Sequence, residues 1–592
     1  MRLYGFGLWR MKAMRFTKFK KPALAAMALV FALSTGTGTA FAKDEEKSAQ
    51  VSSDKTTAIE YSNEVINSNY TAMSAKYTSE PYSGKTVEFP AEKAWKKDGG
   101  ELATDSYGYK NAAVDLKIGQ TASFAVYAPE KAQYAVSFDY YSYDDSTLPA
   151  EMSLKLNGDY PFYEARRLVF ESMWKNPEEA SYDRYGDQIV PVPEKIYQWQ
   201  NKYITDASYR YSTPLLLELE KGENTITFSV AEGNILIGGI YLSAPPEIKA
   251  HEASQPADGN ALITIEAEDM DFRNDSSIRA SCEYDPDLSP YQPDSKVLNV
   301  IDSASFKDAG QMVGYEFEVE NAGYYNIALN YRQMDKKDFP VFIDVRVDGE
   351  IPDSAFYSYP LAYNKTFQNA ILKNSENNET LSVYLEKGKH TVSFTINADK
   401  IRGYLEKVDR IMSEISDMTL EVTKLVGTNK DKYRDFDVLK YMPDAAEKLY
   451  GWADELDAIR DDAKKYNPKV SQISAFSSLG VASKQLRSLA EKPDELTYRL
   501  SELSQSTNSV NNFIAKFVDV VTKNYISFDR IYIYQNGAKL PGKTNIFVKA
   551  AKGVQRFFNS FTDQSYSASS VNPEHLQVWM NRSKQYLEYF KK

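Results

Sequence analysis

The sequence predicts an α+β multidomain fold: two β-sandwich domains, the second of which carries an insert of four helices. Three observations lead to this prediction. Short strands with alternating apolar and polar residues occur in two regions whose blocks repeat in the same order. The apolar period then changes from 2 to 3.6 residues at Asp399. Finally, a strand pattern returns at Tyr525, which places the helices between two stretches of β-structure.

The two strand-rich regions are copies of one domain. The aligned blocks are 132–141 with 323–332, 152–158 with 343–349, and 220–230 with 386–396. The first two pairs are offset by 191 residues and the third by 166. The difference of 191 − 166 = 25 residues is additional chain in the first copy, between Gly158 and Glu220. Three blocks in the same order indicate a real duplication.

The helical region predicts four amphipathic helices that pack on one another as a bundle. Its apolar residues recur every three or four positions, as Ile401, Leu405 and Val408 do in the first stripe. The stripes could instead bind a membrane or a partner, which we consider the weaker interpretation. The strand pattern over 525–534 corresponds to the last strand of the first copy, at 236–243. We therefore interpret the helices as an insert before the last strand of the second sandwich, the alternative being a separate bundle followed by a hairpin.

The first 42 residues have the features of a signal peptide. Seven Lys and Arg residues precede a short apolar run over 22–33, and the small residues that follow end at Ala42, the predicted cleavage site. The run is too short to span a membrane, which takes about 20 residues. Because no cysteine stands near Ala42, we predict a secreted or cell-surface protein without a lipid anchor.

Composition excludes several classes of function. Without the signal peptide the formal charge changes from 70 − 82 = −12 to 63 − 82 = −19, and an acidic chain repels the phosphates of nucleic acid. With 3 histidines and the single cysteine Cys282, an intrachain disulfide is excluded and histidine-based catalysis is disfavoured. No phosphate-binding loop or hydrolase motif is present in the sequence. We predict no nucleic-acid partner and no enzymatic activity.

These patterns divide the chain into eight segments. They are a signal peptide (1–42), a polar lead segment (43–79), the first sandwich (80–245), a linker (246–260), the second sandwich (261–397 plus 525–535), the inserted bundle (398–524), a connector (536–574) and a C-terminal segment (575–592).

The sharpest local signal is the strand ITIEAEDM over 263–270. Glu266 and Glu268 lie two residues apart, so a strand points both carboxylates to one face. They repel each other unless water or a cation lies between them, and calcium prefers such oxygen ligands. The other interpretation is a polar stripe that faces solvent.

Several of these motifs resemble the carbohydrate-binding modules of families six and thirty-five, which have a jelly-roll fold. The resemblance is carried by IEAED (265–269), AGYYNIALNYR (322–332) and LEKGKHTVSF (385–394). It implies that Glu266, Glu268 and Asp529 hold a structural calcium ion. The first copy departs from the pattern, with Pro90 in the first strand and Gly238-Gly239 where Phe528-Asp529 would stand, so no calcium is expected there.

The resemblance also implies an oligo- or polysaccharide ligand that stacks on aromatic rings. The candidate platforms are Tyr284, Tyr291, Tyr315 and Tyr331 in the second copy and Trp95 in the first. Tyr107 and Tyr109 are further aromatic counterparts in the first copy, and Trp174 and Trp199 lie in its 25-residue expansion.

The C-terminal segment resembles the opening strand and helix of extracellular solute-binding proteins of sugar importers. Its motif is HLQVWMNRSKQYLEYFKK (575–592), and the order of the preceding segments resembles a long Gram-positive variety of these proteins. The resemblance implies the start of an α/β solute-binding domain and, as partners, the membrane subunits of an ABC importer. The predicted function is that of a secreted carbohydrate-binding accessory region of such a protein. The alternatives are the non-catalytic binding region of a polysaccharide-degrading enzyme and a surface adhesin.

Overall fold

The computed structural model describes residues 65, 67–427, 436–469, 474–543, 549, 551–552 and 554–555, apart from the single positions 185, 294 and 338. The predicted signal peptide (1–42) and the predicted start of a solute-binding domain (575–592) lie outside the described residues. None of the helices that are described is long and apolar enough to cross a lipid bilayer.

The first sandwich consists of antiparallel strands and two short helices. Its elements are α1 (Tyr70–Ser74), β1 (Val87–Pro90), α2 (Ala91–Ala94), β2 (Glu101–Leu102), β3 (Val114–Leu116), β4 (Thr121–Ala128), β5 (Ala132–Ser142), β6 (Ala150–Leu156), β7 (Leu168–Phe170), β8 (Met173–Lys175), β9 (Glu194–Ile196), β10 (Gln200–Tyr203), β11 (Leu216–Leu219), β12 (Gly222–Glu232) and β13 (Ile235–Ser243). One sheet has the order β10-β5-β13-β3-β2, with β1 beside β13 and β11 beside β5, and the other has the order β4-β12-β6-β7. Alternation drives this packing: in β12 the side chains of Ile226, Phe228 and Val230 are buried and the intervening ones are half-exposed.

The second sandwich repeats this arrangement. Its strands are β14 (Leu262–Glu266), β15 (Phe272–Arg273), β16 (Ala280–Ser281), β17 (Val300–Ile301), β18 (Met312–Val319), β19 (Gly323–Gln333), β20 (Val341–Val347), β21 (Tyr359–Leu361), β22 (Asn364–Ile371), β23 (Ser382–Leu385), β24 (Gly388–Asn397) and β25 (Ser527–Tyr534). One sheet has the order β14-β25-β19-β22, with β23 beside β19. The other runs β21-β20-β24-β18-β15 and continues into β8 and β9 of the first copy.

Strand registers confirm the duplication. Ile226 of β12 pairs with Phe124 of β4, and Val392 of β24 pairs with Tyr315 of β18. The shifts between the two pairs are 392 − 226 = 166 and 315 − 124 = 191 residues, the two offsets found in the sequence. The fold class predicted from the sequence is therefore the one observed.

The last strand of the second sandwich follows the helices. In β25, Ile531 lies between Ile265 of β14 and Leu329 of β19. The pairing confirms that the helices are inserted before this strand. Both ends of the insert are therefore connected to strands of the second sandwich.

The inserted helices pack on one another and on the second sandwich. They are α3 (Asp399–Val426), α4 (Val438–Tyr441), α5 (Ala445–Asp462), α6 (Ser474–Ala490), α7 (Leu496–Leu500) and α8 (Val510–Thr522). Ile401, Leu405 and Val408 of the first stripe are buried in the bundle core. Phe339 and Phe342 of the sandwich join the same core, so the stripes are packing surfaces rather than membrane- or partner-binding ones.

The fourth predicted helix, whose apolar stripe runs from Leu496 to Val521, is broken in the structure. A π-helical turn over Ser501–Gln505 follows α7, and a new helix begins only at Val510. The polar run 504–509 has no apolar residue to continue the stripe. Instead the Ser509 hydroxyl accepts a hydrogen bond from the Asn512 backbone N–H (3.3 Å) and caps α8.

The described residues of the predicted lead segment (65 and 67–79) and the predicted linker are packed against the sandwiches. The Tyr70 ring of α1 contacts Phe162 edge-on with centroids 5.2 Å apart, so packing on the first sandwich begins before the predicted boundary at residue 80. In the 246–260 linker, Lys249 O accepts a hydrogen bond from Ser354 N (2.8 Å). Packing reaches both segments because the edges of a sandwich offer backbone groups that need partners.

The 25-residue expansion of the first copy joins the two sandwiches. Trp174 of β8 pairs with Arg273 of β15, and the Arg273 guanidinium donates to Asn176 Oδ1 (2.8 Å). The bundle also contacts the first copy, through an ion pair between Arg210 and Asp409 (2.6 Å). The two sandwiches and the insert therefore form one interlocked body.

Candidate functional site

The three carboxylates predicted to bind calcium meet at one end of the second sandwich. Glu266 is the last residue of β14 and Glu268 lies in the turn that follows. Asp529 is a bulge residue of β25, because Arg530 pairs with Asn330 whereas Phe528 pairs with the next residue along β19. The Asp529 carbonyl accepts a hydrogen bond from Ala267 N (2.9 Å), which ties the bulge to the Glu-x-Glu strand.

Ser289 connects two of these carboxylates. Its hydroxyl donates to Glu266 Oε1 and its backbone N–H donates to Asp529 Oδ1, both at 3.0 Å. The second oxygen of Asp529 accepts a hydrogen bond from Arg530 Nε (2.7 Å). Glu266 Oε2 and Glu268 Oε2 are buried and have no hydrogen-bond partner within the described residues.

The electrostatics of this cluster disfavour negative charge. Glu268 is 5 % exposed, and burial, with added repulsion from neighbouring carboxylates, raises its pKa to about 9. Burial also raises the pKa of Asp529, to about 6, although Arg530 opposes this shift. The pKa of Glu266 is raised by burial too. One guanidinium therefore does not compensate three buried acids.

The cluster fits a hard cation in its chemistry. Two buried carboxylate oxygens without partners are the kind of ligand that calcium takes. The geometry is less complete, since within the described residues no group of three His, Cys, Asp or Glu side chains is arranged to hold a metal ion as it stands. Asp529 would be the third ligand, but its Oδ2 already accepts a hydrogen bond from Arg530.

The described residues of the first copy lack this cluster. The last strands of the two copies align one residue away from the alignment predicted from the sequence. Ile237 pairs with Tyr140 and Gly239 with Asp139, which makes Gly238 the bulge residue. By the 191-residue offset, Gly238 is therefore equivalent to Asp529, and Gly239 to Arg530. The predicted alignment of Gly238-Gly239 with Phe528-Asp529 was therefore wrong by one residue.

Two of the predicted sugar platforms are core residues. Tyr315 is 0 % exposed and its hydroxyl donates to Ala267 O (2.9 Å). Tyr331 is 3 % exposed and its hydroxyl donates to Ala362 O (2.8 Å). Their rings lie between the sheets, so predicting them as stacking platforms was wrong.

The other predicted platforms are more accessible but do not form one surface. Trp95 is half-buried against the first core, and its indole N–H donates to Gly99 O (2.8 Å). Tyr284 is 37 % exposed in the loop that follows β16. Further along the same loop, Tyr291 has the ammonium of Lys552 4.7 Å from its ring centroid. The structure therefore does not bring the five predicted platforms together.

A larger aromatic surface lies on the outer side of the β5–β13 sheet, and we call it the aromatic face. It consists of Tyr107, Tyr109, Tyr141, Tyr143 and Trp199. Tyr107, Tyr109 and Trp199 were named from the sequence, whereas Tyr141 and Tyr143 were not. Tyr107 is 46 % exposed and stacks on Tyr141 with centroids 4.6 Å apart and planes 13° apart. Trp199 lies 4.3 Å from Tyr109 and 5.6 Å from Tyr141, centroid to centroid. Stacked rings of this kind can cover the C–H face of a sugar.

Polar groups border the aromatic face. Asp139 Oδ2 accepts hydrogen bonds from the hydroxyls of Tyr109 and Tyr241, each at 2.5 Å, and Oδ1 accepts one from Asn201 Nδ2 (2.9 Å). Burial and the Asp139 carboxylate raise the pKa of Tyr109, so its hydroxyl stays protonated. Carboxylate, amide and hydroxyl groups beside an aromatic surface can bind sugar hydroxyls.

Gly238 makes room for these rings. A Cβ atom at this position would lie 2.6 Å from Tyr109 Cε1 and 2.9 Å from Trp199 Cζ3. The signal in the sequence is the Gly238-Gly239 pair inside an apolar strand, which indicates close approach of another group. The partners of that approach come from distant segments, which is why the sequence did not reveal the surface.

Comparison with known proteins gives one match by sequence family. Residues 403–521 match the family described as "Bacterial solute-binding protein, 4-helix bundle domain", so the inserted helices are similar to that domain. No curated protein matches the chain.

Solved structures give weaker likenesses. A family 35 carbohydrate-binding module from Clostridium thermocellum is 18% identical, with 27% of this chain and 100% of that chain covered and a TM-score of 0.18. A family 35 module from Cellvibrio japonicus is 15% identical. The match covers 27% of this chain and 95% of that chain, with a TM-score of 0.18. A family 6 module of a laminarinase from Zobellia galactanivorans is 12% identical. The match covers 27% of this chain and 99% of that chain, again with a TM-score of 0.18. At such low TM-scores, no conclusion about this chain is drawn from these similarities.

Proposed function

We propose that this chain is the secreted, carbohydrate-binding accessory region of a bacterial solute-binding protein that serves a sugar ABC importer. The observation that carries the proposal is the match of the inserted helices, residues 403–521, to the 4-helix bundle domain of bacterial solute-binding proteins. The role is binding rather than catalysis. The signal peptide predicted over 1–42 would export the protein, and the membrane subunits of the importer would be its partners.

In this proposal the aromatic face is the surface that contacts an oligo- or polysaccharide. The exposed ring of Tyr107, backed by Tyr141, offers a flat apolar platform. Asp139 and Asn201 lie beside it as acceptor and donor for hydroxyl groups. Stacking plus hydrogen bonding at a solvated surface suits weak, reversible capture of a polymer before uptake.

Calcium is the proposed structural ion of the second sandwich. Glu266 and Glu268 would hold it with their unpartnered oxygens, and Asp529 would join once Arg530 releases its Oδ2. A bound divalent cation would neutralise the buried carboxylates and tie β14 to β25, the strand that closes the sandwich after the insert.

Affinity electrophoresis of the full chain tests saccharide binding, with soluble glucan, mannan, xylan and galactan in the gel. We expect at least one polymer to retard the protein, and Tyr107→Ala to weaken the retardation about tenfold. Tyr127→Ala is the matched control, because Tyr127 is 57 % exposed but lies on β4 of the opposite sheet. Absence of retardation by any polymer, or equal effects of the two variants, would refute the proposed surface.

A further inference from the structure

A cavity lies where the two sandwiches meet. Its volume is about 220 Å³, which is room for several water molecules at about 30 Å³ each. The first sandwich contributes Glu171, Ser172, Trp174 and Tyr209 to its wall, and the second contributes a strand end and loop around Ser276. The cavity is distinct from the aromatic face and from the carboxylate cluster, because it shares no residue with either.

Three oxygens in its wall have no hydrogen-bond partner in the described part of the chain. They are Glu171 Oε1, Ser172 Oγ and Ser276 Oγ, all buried. Ser172 and Ser276 are each 4 % exposed. Leaving a buried polar atom without a partner is unfavourable, so three of them around one cavity indicate a surface built for a polar ligand.

Two aromatic residues, Trp174 and Tyr209, also line the wall. Trp174 is 2 % exposed within β8. The Tyr209 ring lies against Gly310, where a Cβ atom would be 2.3 Å from the ring Cγ. Tyr209 itself has φ +51°, a left-handed conformation that is uncommon for a tyrosine. Lys202 holds this ring in place, with its Nζ 3.3 Å from the Tyr209 hydroxyl and paired with Glu171 Oε2.

The charge of the wall selects the class of ligand. Glu171, Asp275 and Asp308 line the cavity, and no Lys or Arg is among its described lining residues. Lys202 is already paired with Glu171. Carboxylates repel an anion but can accept hydrogen bonds from neutral hydroxyl groups, and the two serine hydroxyls can both accept and donate them.

We propose that this cavity binds one neutral sugar residue, with Glu171, Ser172 and Ser276 bonded to its hydroxyls and with Trp174 and Tyr209 among the residues that line the wall around it. The inference rests on the proposed saccharide-binding function and adds a second site, at the junction of the two sandwiches. Because both sandwiches supply groups that hydrogen-bond to the sugar, the bound sugar also stabilises their junction.

Thermal unfolding of the full chain tests this site, with glucose, galactose, mannose and xylose as neutral probes and glucuronate and galacturonate as acidic ones. We expect at least one neutral sugar to raise Tm by about 2 °C or more, and neither acid to do so. The Ser172→Ala/Ser276→Ala variant should lose this shift. Its sugar-free Tm should be unchanged or higher, because it removes two buried hydroxyls that have no partner.

Ser254→Ala is the matched control, since Ser254 Oγ is likewise buried without a partner but lies outside the cavity wall. It should keep the sugar-induced shift. A shift that survives in the double serine variant, or an equal shift with the acids, overturns the inference. If only Tyr107→Ala abolishes the shift, the proposed function stands and the junction site is wrong. If no neutral sugar shifts Tm while a polysaccharide still retards the chain, the junction site is wrong and the proposed function stands.

Discussion

Gly238 and Asp529 occupy the same bulge in the last strands of the two sandwiches. In the second sandwich the carboxylate of Asp529 turns toward Glu266 and Glu268 at the end of β14. In the first sandwich the missing side chain leaves room for Tyr109 and Trp199. The duplicated fold thus carries two different sites at equivalent backbone positions, one of carboxylates and one of aromatic rings.

Gly238→Ala should disrupt the aromatic face. The added methyl group would displace Tyr109 or Trp199, which costs about 1–3 kcal/mol of stability and weakens polysaccharide retardation. Urea unfolding and affinity electrophoresis measure the two effects. Gly403→Ala is the control, because Gly403 is exposed in α3 with open space around its Cβ position, so alanine should stabilise the helix by about 0.5–1 kcal/mol. Wild-type behaviour of both variants would contradict the packing argument.

Glu268→Gln should stabilise the calcium-free protein at pH 8. The folded-state pKa of Glu268, about 9, lies above its ordinary value of 4.5. The folded state therefore binds more protons than the unfolded state between these values, and stability is lost as pH rises through this window. The neutral amide avoids that loss, by about 1–3 kcal/mol at pH 8 and by little at pH 5. Unfolding at both pH values in a chelator measures the difference.

Calcium should reverse this order. It should raise the Tm of the wild-type protein more at pH 8 than at pH 5, because it stabilises the ionised carboxylates, and it should have little effect on Glu268→Gln. A calcium shift of equal size in both proteins would show that Glu268 is not a ligand.

The sequence was sufficient to predict the duplication and the insert. Repeated blocks such as those around Phe124 and Tyr315 keep their spacing because each strand must keep its register with its neighbours. The strand around Ile531 was recognisable because the first copy has a strand at that place and the second otherwise lacks one.

The sites were harder to predict, for physical reasons. Alternation shows that a strand has two faces but not which face is enclosed, so Tyr315 and Tyr331 were taken for surface residues although their hydroxyls bond to backbone oxygens inside the sandwich. The aromatic face joins Tyr107, Tyr141 and Trp199, which are far apart in sequence. Only the folded sheet brings them together.

Trp174→Ala should weaken the junction between the sandwiches. Trp174 is 2 % exposed and pairs with Arg273 across the joint, so truncation leaves a cavity and costs about 3–5 kcal/mol. We expect a lower Tm and faster proteolysis within 173–196. Tyr182→Ala in the same expansion is the control, since Tyr182 is 60 % exposed and its loss should change stability by less than about 0.5 kcal/mol. Equal effects of the two variants would show that the joint does not depend on β8.

Lys336 should make stability rise with pH above neutrality. It is 2 % exposed between the bundle and the second sandwich, where its ammonium donates to Val521 O (2.6 Å) and Asn524 Oδ1 (2.5 Å). Burial lowers its pKa from 10.5 to about 7. Between these values the unfolded state binds more protons than the folded state, so stability increases with pH across the window, whereas below pH 7 both states are charged and the full penalty remains.

Lys336→Met should therefore flatten the dependence of stability on pH. From pH 7 to pH 9.5 the wild-type protein should gain about 1–3 kcal/mol relative to the variant, because methionine has no proton to lose. The lost hydrogen bonds lower the stability of the variant by an amount that does not change with pH, so the slope rather than the offset is diagnostic. Urea unfolding across this range measures it, with Lys337→Met as the control because Lys337 is exposed. Parallel curves for wild type and Lys336→Met would show that Lys336 stays charged in the folded protein.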